Sequence, residues 1–254
     1  MRRLGASLGT WLTVALALSP VALAQLASEQ DREDAVRHYR NGMELLQSER
    51  FDRAEPEFVD AIRLDPLLVV AHYGLGQTYM ALQRYASAIQ AFTGAKDTFH
   101  RIADLVARAQ MTLEADRRDE VQALQDSLLM IEGGSFKSVN PVTVNSIQNR
   151  VRELSRSSNR GTIPDAIVTP PEISLSLGSA HFRNGDLQQA EQNYVAAVEA
   201  DEDFGEAHNN LAVIYLLTGR AAQALESADR ADAAGFRVNP NLRQDIENAL
   251  KPEP

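Results

Sequence analysis

The chain has 254 residues, with 25 basic and 35 acidic side chains, a formal charge of −10 and no cysteine. Without cysteine it can form no disulfide bond, thiolate-ligated zinc site, iron–sulfur cluster or thiol nucleophile. The acidic surplus is the opposite of the clustered Lys and Arg that a nucleic-acid-binding surface needs, so we predict no nucleic-acid partner.

Residues 1–24 have the pattern of a secretory signal peptide. Arg2-Arg3 is followed by an uncharged stretch that is most apolar from Trp11 to Leu18 and leads to Ala22-Leu23-Ala24. A basic start, a short apolar core and an A-x-A site predict cleavage after Ala24 and export to the bacterial periplasm or beyond. The alternative is an uncleaved anchor, because the whole uncharged stretch is long enough to span a bilayer. After cleavage we expect no membrane span.

The next part of the chain, residues 35–102, repeats with a period of 34 residues. A shift of 34 places Gly42 over Gly76, Ala54 over Ala88 and Phe58 over Phe92. The same frame returns over residues 171–238, in Gly178, Ala190 and Tyr194 and then in Ala212, Ala224 and Ala228. Four copies of this pattern resemble the tetratricopeptide repeat, a helix–turn–helix unit of 34 residues.

The resemblance implies an all-α fold, an α-solenoid of helical hairpins arranged as two pairs over residues 25–102 and 171–238. The small residues would let the two helices of a hairpin cross closely, and the rings would fill the space toward the next hairpin. We expect Gly185 and Gly219 in the turns of the last two hairpins, with Glu49 and Arg84 in the corresponding turns of the first two.

Residues 103–170 separate the two pairs and are 68 residues long, which is twice the period. Their in-frame positions are not small, so we predict a helical connector rather than two decayed repeats. Apolar spacing indicates one helix from Ile102 to Leu128, with a kink or break allowed at the charged run 117–120. A shorter helix around Val151 and a loop over 157–171 follow, and the orientation of the two pairs stays open.

Residues 239–254 predict a capping helix and a tail. Asn239-Pro240 is a helix-start signal, and one face of the following helix is apolar, with Leu242, Ile246, Ala249 and Leu250. Repeat arrays need such a helix because the last hairpin would otherwise expose its apolar side to water.

Motifs for catalysis, metals and cofactors are missing from the sequence. His38, His72 and His208 share one repeat position and would lie one per hairpin, so we expect packing residues rather than a metal site. The acidic run 201–203 indicates a helix start rather than a calcium loop, since it lacks the closing glutamate. We therefore predict no enzyme activity and no cofactor.

In the tetratricopeptide-repeat family, which this pattern resembles, the first helix of each hairpin lines a concave groove that binds peptides or helices of other proteins. Carried over residue by residue, the groove comprises Tyr39, Arg40, Met43, Tyr73, Gln77, Met80, Leu175, Ser179, Phe182, Asn209, Asn210 and Val213. Glu172 and Glu206 also belong to this face, while Val36 and Leu216 fit either the groove or the core. One family branch clamps peptide carboxylates with Lys and Asn; only Asn210 matches here, which argues against such a clamp.

These features predict an exported scaffold or adaptor that binds envelope proteins through its groove, acting as an assembly factor. Apolar and methionine side chains favour a helix or an extended peptide as the bound segment. The acidic charge favours partners with basic patches. The alternative is a structural protein that self-associates through the helix at 101–131, and either a monomer or a weak homo-oligomer fits the sequence.

Overall fold

The structure is a computed structural model that describes residues 27–132, 141–157 and 168–251. The predicted signal peptide, with its cleavage site after Ala24, lies outside these residues. Within them the chain forms ten helices and no strand: α1 Glu29–Gln47, α2 Phe51–Leu64, α3 Val69–Ala81, α4 Tyr85–Glu132, α5 Pro141–Ser157, α6 Pro171–Asn184, α7 Leu187–Ala200, α8 Gly205–Leu217, α9 Ala221–Ala233 and α10 Pro240–Ala249. The all-α class is confirmed. Among the described helices, none combines the length and apolarity that a membrane crossing requires.

The chain divides into two compact units. One unit holds the described residues of 26–102 and 168–254, and the other holds those between 103 and 167. The first unit contains four helical hairpins, called repeats 1 to 4 below. Repeat 1 is α1 with α2, repeat 2 is α3 with the start of α4, repeat 3 is α6 with α7, and repeat 4 is α8 with α9.

Glycine on the first helix lets the second helix of a repeat pack closely. A Cβ added at Gly42 would lie 2.8 Å from the buried ring of Phe58, nearer than a real side-chain carbon can approach. The same contact recurs at 2.5 Å between Gly76 and Phe92 and at 2.7 Å between Gly178 and Tyr194. The predicted role of these glycines is therefore confirmed.

Successive repeats dock through one leucine of the first helix. Leu75 packs with Phe58 of repeat 1, and Leu211 packs with Tyr194 of repeat 3. Leu177 packs with Phe92 in the same way, although residues 103–170 separate repeats 2 and 3 in the chain. The four repeats therefore form one continuous array, which answers the question that the sequence left open.

The turn inside each repeat uses a left-handed residue. This residue is Gly185 (φ 90°) in repeat 3 and Gly219 (φ 75°) in repeat 4, as predicted. It is Glu49 in repeat 1 and Gln83 in repeat 2, each with φ 59°. Arg84 lies in the turn of repeat 2, as predicted, but the left-handed residue of that turn is Gln83, which is one period of 34 after Glu49.

Helix α4 runs unbroken for 48 residues, from repeat 2 into the second unit. Repeat 1 ends its second helix at Asp65-Pro66, whereas the equivalent pair Phe99-His100 has no helix-breaking residue, so α4 continues. The structure shows no break at residues 117–120, where an ion pair joins Arg117 to Glu114 at 2.8 Å. The boundary that we placed at residue 102 thus lies inside a helix.

The second unit contains the rest of α4 and helix α5, in agreement with the predicted shorter helix. Arg150 of α5 donates to Glu120 of α4 at 2.9 Å, and Leu154 is buried. Of the predicted loop at 157–171, residues 158–167 lie outside the described residues, and α6 begins at Pro171.

Helix α10 caps repeat 4, as predicted. Ile246 is fully buried against Ala228 and Val238, and Leu242 packs beside it. Ala249 and Leu250 are exposed and do not join this contact, because the helix ends there. Arg243 holds the outer side by donating to Asp229 at 2.9 Å and to Asp232 at 3.1 Å.

Candidate functional site

The candidate site is the groove face, meaning the first-helix residues predicted above. Of its twelve named residues, ten are partly exposed and Arg40 is exposed. Leu175 is an exception, because only 8% of its surface is exposed and it packs with Tyr194 and Leu211 in the core of repeats 3 and 4. Leu175 therefore supports the groove face without presenting a side chain on it.

In repeat 1 the face rests directly on the core. The ring of Tyr39 lies 6.1 Å from the ring of Phe58, and Met43 packs against the same cluster. Burial raises the pKa of the Tyr39 hydroxyl, so this group stays a neutral hydrogen-bonding group. Arg40, one residue further along, supplies an exposed cation.

Tyr73 marks the seam, the place where α6 of repeat 3 packs on α3 and α4 of repeat 2. Its ring lies 5.4 Å from Phe92, and its hydroxyl forms a 2.8 Å hydrogen bond with the hydroxyl of Ser176. Burial is the largest cause that raises the pKa of Tyr73, and the negative charges of Glu172 and Glu206 add to it. Tyr73 therefore joins repeats 2 and 3. Its hydroxyl is close enough to Glu172 and Glu206, at the starts of α6 and α8, for their charges to raise its pKa.

Glu172 and Glu206 occupy the same repeat position, in the first turns of α6 and α8. Glu172 lies one helical turn before Ser176 on the same side of α6, which places it beside the Tyr73 hydroxyl. The charge of Glu206 also raises the pKa of Tyr194, after burial as the larger cause. Neither carboxylate forms an ion pair in the described part of the chain.

The remaining residues of the face are polar or apolar groups around these carboxylates. Ser179 accepts a 3.3 Å hydrogen bond from the Tyr194 hydroxyl, and Asn209 donates to Asn210 at 3.4 Å. Phe182 packs at the edge of the core of repeats 3 and 4. Gln77, Met80, Val213 and Val36 are partly exposed, and Leu216 packs partly against the capped end of the array.

A recurring cluster of Glu, Tyr and Arg joins the repeats within each pair, and sequence reasoning missed it. In the first pair the Tyr79 hydroxyl and Arg84 both donate to Glu55, at 3.0 and 2.9 Å. In the second pair Arg220 donates to Glu191 at 2.8 Å, and its guanidinium lies 4.5 Å from the Tyr215 ring centre. The two sets are 136 residues apart, so an alignment at four periods would have found them.

The three repeat-position histidines each have a packing or capping role. His72 contacts the Pro66 carbonyl at 3.2 Å, and His208 contacts the Glu202 carbonyl at 2.9 Å, each in the turn before its own helix. Burial lowers the pKa of His72. His38 has no preceding repeat and contacts Glu57 at 2.8 Å instead.

The acidic run 201–203 lies in the turn between α7 and α8. The backbone N–H of Asp203 donates to the Asp201 carboxylate at 3.1 Å, which closes this turn before α8 begins. Across residues 27–132, 141–157 and 168–251, no group of three or more His, Asp or Glu side chains could hold a metal ion.

The sequence profile of the tetratricopeptide repeat matches residues 39–99 and 175–236, one match over each pair of repeats. Together with the hairpin array, this match establishes the α-solenoid fold that the sequence predicts. Among curated proteins, none matches the chain.

Several solved structures are similar to this chain at low identity. YrrB, described as a tetratricopeptide-repeat protein with an unusual peptide-binding site, is 19% identical, and the match covers 87% of this chain and 94% of YrrB with a TM-score of 0.29. A tetratricopeptide-repeat protein of Thermus thermophilus, TTC0263, is 18% identical, with 85% and 98% covered and a TM-score of 0.36. PilW, a type IV pilus biogenesis factor, is 16% identical, with 85% and 86% covered and a TM-score of 0.40.

Proposed function

We propose, on the premise that residues 39–99 and 175–236 are tetratricopeptide repeats, that this chain is a scaffold that binds a segment of another protein on its groove face. The observation that carries the proposal is the partial exposure of ten groove-face side chains on four stacked first helices. Tyrosine, phenylalanine, methionine and amide groups offer apolar anchors together with hydrogen bonds, which suit a helix or an extended peptide.

Photo-crosslinking tests this scaffold function. A photoreactive amino acid placed at Arg40 or at Asn210 of the full chain captures the partner, which is then identified, purified and titrated. We expect Arg40→Glu and Asn210→Ala to weaken that binding about tenfold each, because both side chains project from the groove face. The matched control is Arg53→Glu, an exposed arginine on the second helix of repeat 1, which should leave Kd unchanged. An unchanged Kd for both Arg40→Glu and Asn210→Ala would contradict the proposal.

The finer part of the proposal is that the scaffold works in the bacterial cell envelope, as an adaptor or assembly factor. Its support is the N-terminal sequence, with Arg2-Arg3, the apolar core and the Ala22-Leu23-Ala24 site. Mass spectrometry of the protein from a periplasmic extract should give a chain that begins at Gln25. A chain that retains Met1 and stays in the cytoplasm would contradict export.

A self-associating structural protein is the second candidate, and exposed apolar residues on α4 favour it. Met111, Leu129 and Met130 are 65%, 65% and 57% exposed. Met111 and Leu129 are five helical turns apart and so lie on the same side of α4, where a second copy of the helix could cover both. Light scattering at micromolar concentration separates the candidates: an oligomer that Met111→Lys with Leu129→Lys converts to a monomer would favour self-association, and a monomeric wild-type chain would rule it out.

A further inference from the structure

The seam between repeats 2 and 3 has the same core contact as the junctions inside the pairs. Leu177 packs with Ala88 and Phe92, just as Leu75 packs with Ala54 and Phe58 one repeat earlier. The first helices therefore follow one another across the seam without a gap in the docking pattern.

Two hydrogen bonds close the array where the chain leaves it and returns. His100, one period after Pro66, contacts the Thr169 hydroxyl at 2.8 Å, and Tyr73 contacts Ser176 on the groove face at 2.8 Å. The 68 residues from 103 to 170 equal two periods, so they interrupt the chain without changing the repeat register. The groove face thus continues from repeat 1 to repeat 4.

At and after the seam, the charged side chains of the groove face are all negative. None of the groove-face side chains on α3, α6 and α8 is cationic, whereas Glu172 and Glu206 are anionic. The apolar side chains of the same face lie further along these helices: Met80 and Phe182 are in the last turns of α3 and α6, and Val213 lies two turns after Glu206 on α8. Charge complementarity therefore favours a partner segment that carries a cation as well as apolar side chains.

We infer that the four repeats present a single groove and that one segment of a partner protein crosses the seam, with a Lys or Arg side chain at Glu172 and Glu206 and apolar side chains against the apolar residues of the same face. The inference rests on the proposed function and adds the number of bound segments and their chemistry. It commits to an extended basic and apolar segment, because the two carboxylates on successive first helices lie along the array.

A random peptide library of 16 residues, displayed on phage and selected on the full chain, provides the probe. Sixteen extended residues reach about 50 Å, enough to pass over several packed helices. A selected peptide is synthesised and titrated by calorimetry. We expect one peptide per chain, at least one Lys or Arg in its sequence, and about tenfold weaker binding for Met43→Ala in repeat 1 and also for Asn209→Ala in repeat 4.

The charge requirement has its own variants. Glu172→Gln with Glu206→Gln should weaken the same peptide about tenfold and reduce the salt dependence of Kd, because both changes remove charge without changing shape. Glu199→Gln, an exposed carboxylate on the second helix of repeat 3, is the matched control and should change neither. Circular dichroism melts verify that all variants fold like the wild type.

The outcomes separate the inference from the proposed function. Two peptides per chain, sensitivity to only one side of the seam, or an unchanged Kd for the double Gln variant would overturn the inference and leave a peptide-binding scaffold. A library without binders, or binders that ignore every groove-face variant, would overturn the scaffold function itself.

Discussion

The junctions inside a repeat pair and the junction between the pairs share one core contact but differ around it. Leu75 and Leu211 dock the repeats within each pair, and both junctions carry the Glu–Tyr–Arg cluster as a second connection. Leu177 docks repeat 3 on repeat 2, but the positions equivalent to Glu, Tyr and Arg are Ile89, His181 and Asp186 there. In place of that cluster the seam has the Tyr73–Ser176 and His100–Thr169 hydrogen bonds, and the Arg183 guanidinium lies 5.9 Å from the Tyr85 ring centre.

This difference shows how an array can accept an insertion. In a solenoid each repeat contacts only its neighbours, so stability is close to a sum of repeat and junction terms. A charge-assisted hydrogen bond contributes about twice as much as a neutral one. We therefore expect the seam to be the weakest junction, and it is also the one that residues 103–170 interrupt.

The largest effect should come from removing a docking leucine at the seam. Leu177→Ala leaves a cavity beside Phe92. Because the variant buries less apolar surface, its free energy of unfolding should fall by about 2–5 kcal/mol. Because no charged cluster supports this junction, we expect urea denaturation followed by circular dichroism to show two transitions, one for each pair.

Leu211→Ala is the matched control inside a pair. It should cost a similar free energy but preserve one cooperative transition, since Glu191 and Arg220 still connect repeats 3 and 4. Two transitions for Leu211→Ala, or one for Leu177→Ala, would show that the junctions have equal strength.

The next effect should come from the charged cluster itself. Glu191→Gln should lower the free energy of unfolding by about 1 kcal/mol at pH 7, since the Arg220 pair is partly buried. Arg220 holds the pKa of the Glu191 carboxyl below its ordinary value, so this stabilisation is present above about pH 4.3 and is lost as the pH falls through the folded-state pKa.

The wild-type and Glu191→Gln curves should therefore converge in acid, which denaturation at a series of pH values measures. The control is Glu226→Gln, whose pair with Arg230 is exposed and joins residues of one helix, so it should change stability by less than about 0.5 kcal/mol. A difference that persists unchanged at pH 3 would argue against the charged cluster.

The turns provide a further comparison between the two pairs. Glu49 and Gln83 adopt a left-handed backbone that costs a side-chain-bearing residue about 1–2 kcal/mol, while Gly185 and Gly219 adopt it without strain. Glu49→Gly and Gln83→Gly should each stabilise the first pair by about 0.5–1 kcal/mol, after the entropic cost of glycine. Gly185→Ala should destabilise the second pair, and thermal melts that reverse either sign would contradict this account.

The sequence predicts most of the array because its sterics repeat. A period of 34 identifies the residues that must be small or large. It also shows that repeat 1 has no repeat before it, because Asn41 occupies the position at which Leu75 of repeat 2 packs on the preceding repeat. The length of α4 could not be predicted from the period, because a helix ends only where a residue stops it, and Phe99-His100 contains no such residue.

The candidate site was predictable by position but not by exposure. Tyr39 and Leu175 share one repeat position, yet the tyrosine is partly exposed and the leucine is buried. The longer side chain reaches past the core rings, whereas leucine stops beneath the surface. The Tyr73–Ser176 contact could not be foreseen either, because it depends on which repeat follows repeat 2 in space.

The smallest expected effect concerns Ser174, which stands at the seam where His72 and His208 stand inside the pairs. Both histidines contact a carbonyl of the preceding turn, but the buried Ser174 hydroxyl has no hydrogen-bond partner among the described residues. Ser174→Ala should therefore raise the free energy of unfolding by about 0.5 kcal/mol, because it removes a polar group that burial penalises. Thr78→Val is the control, since its buried hydroxyl donates to Gly74 at 2.9 Å and its loss should destabilise. If Ser174→Ala destabilises as much as Thr78→Val, the seam serine has a partner and the seam is as well satisfied as the junctions inside the pairs.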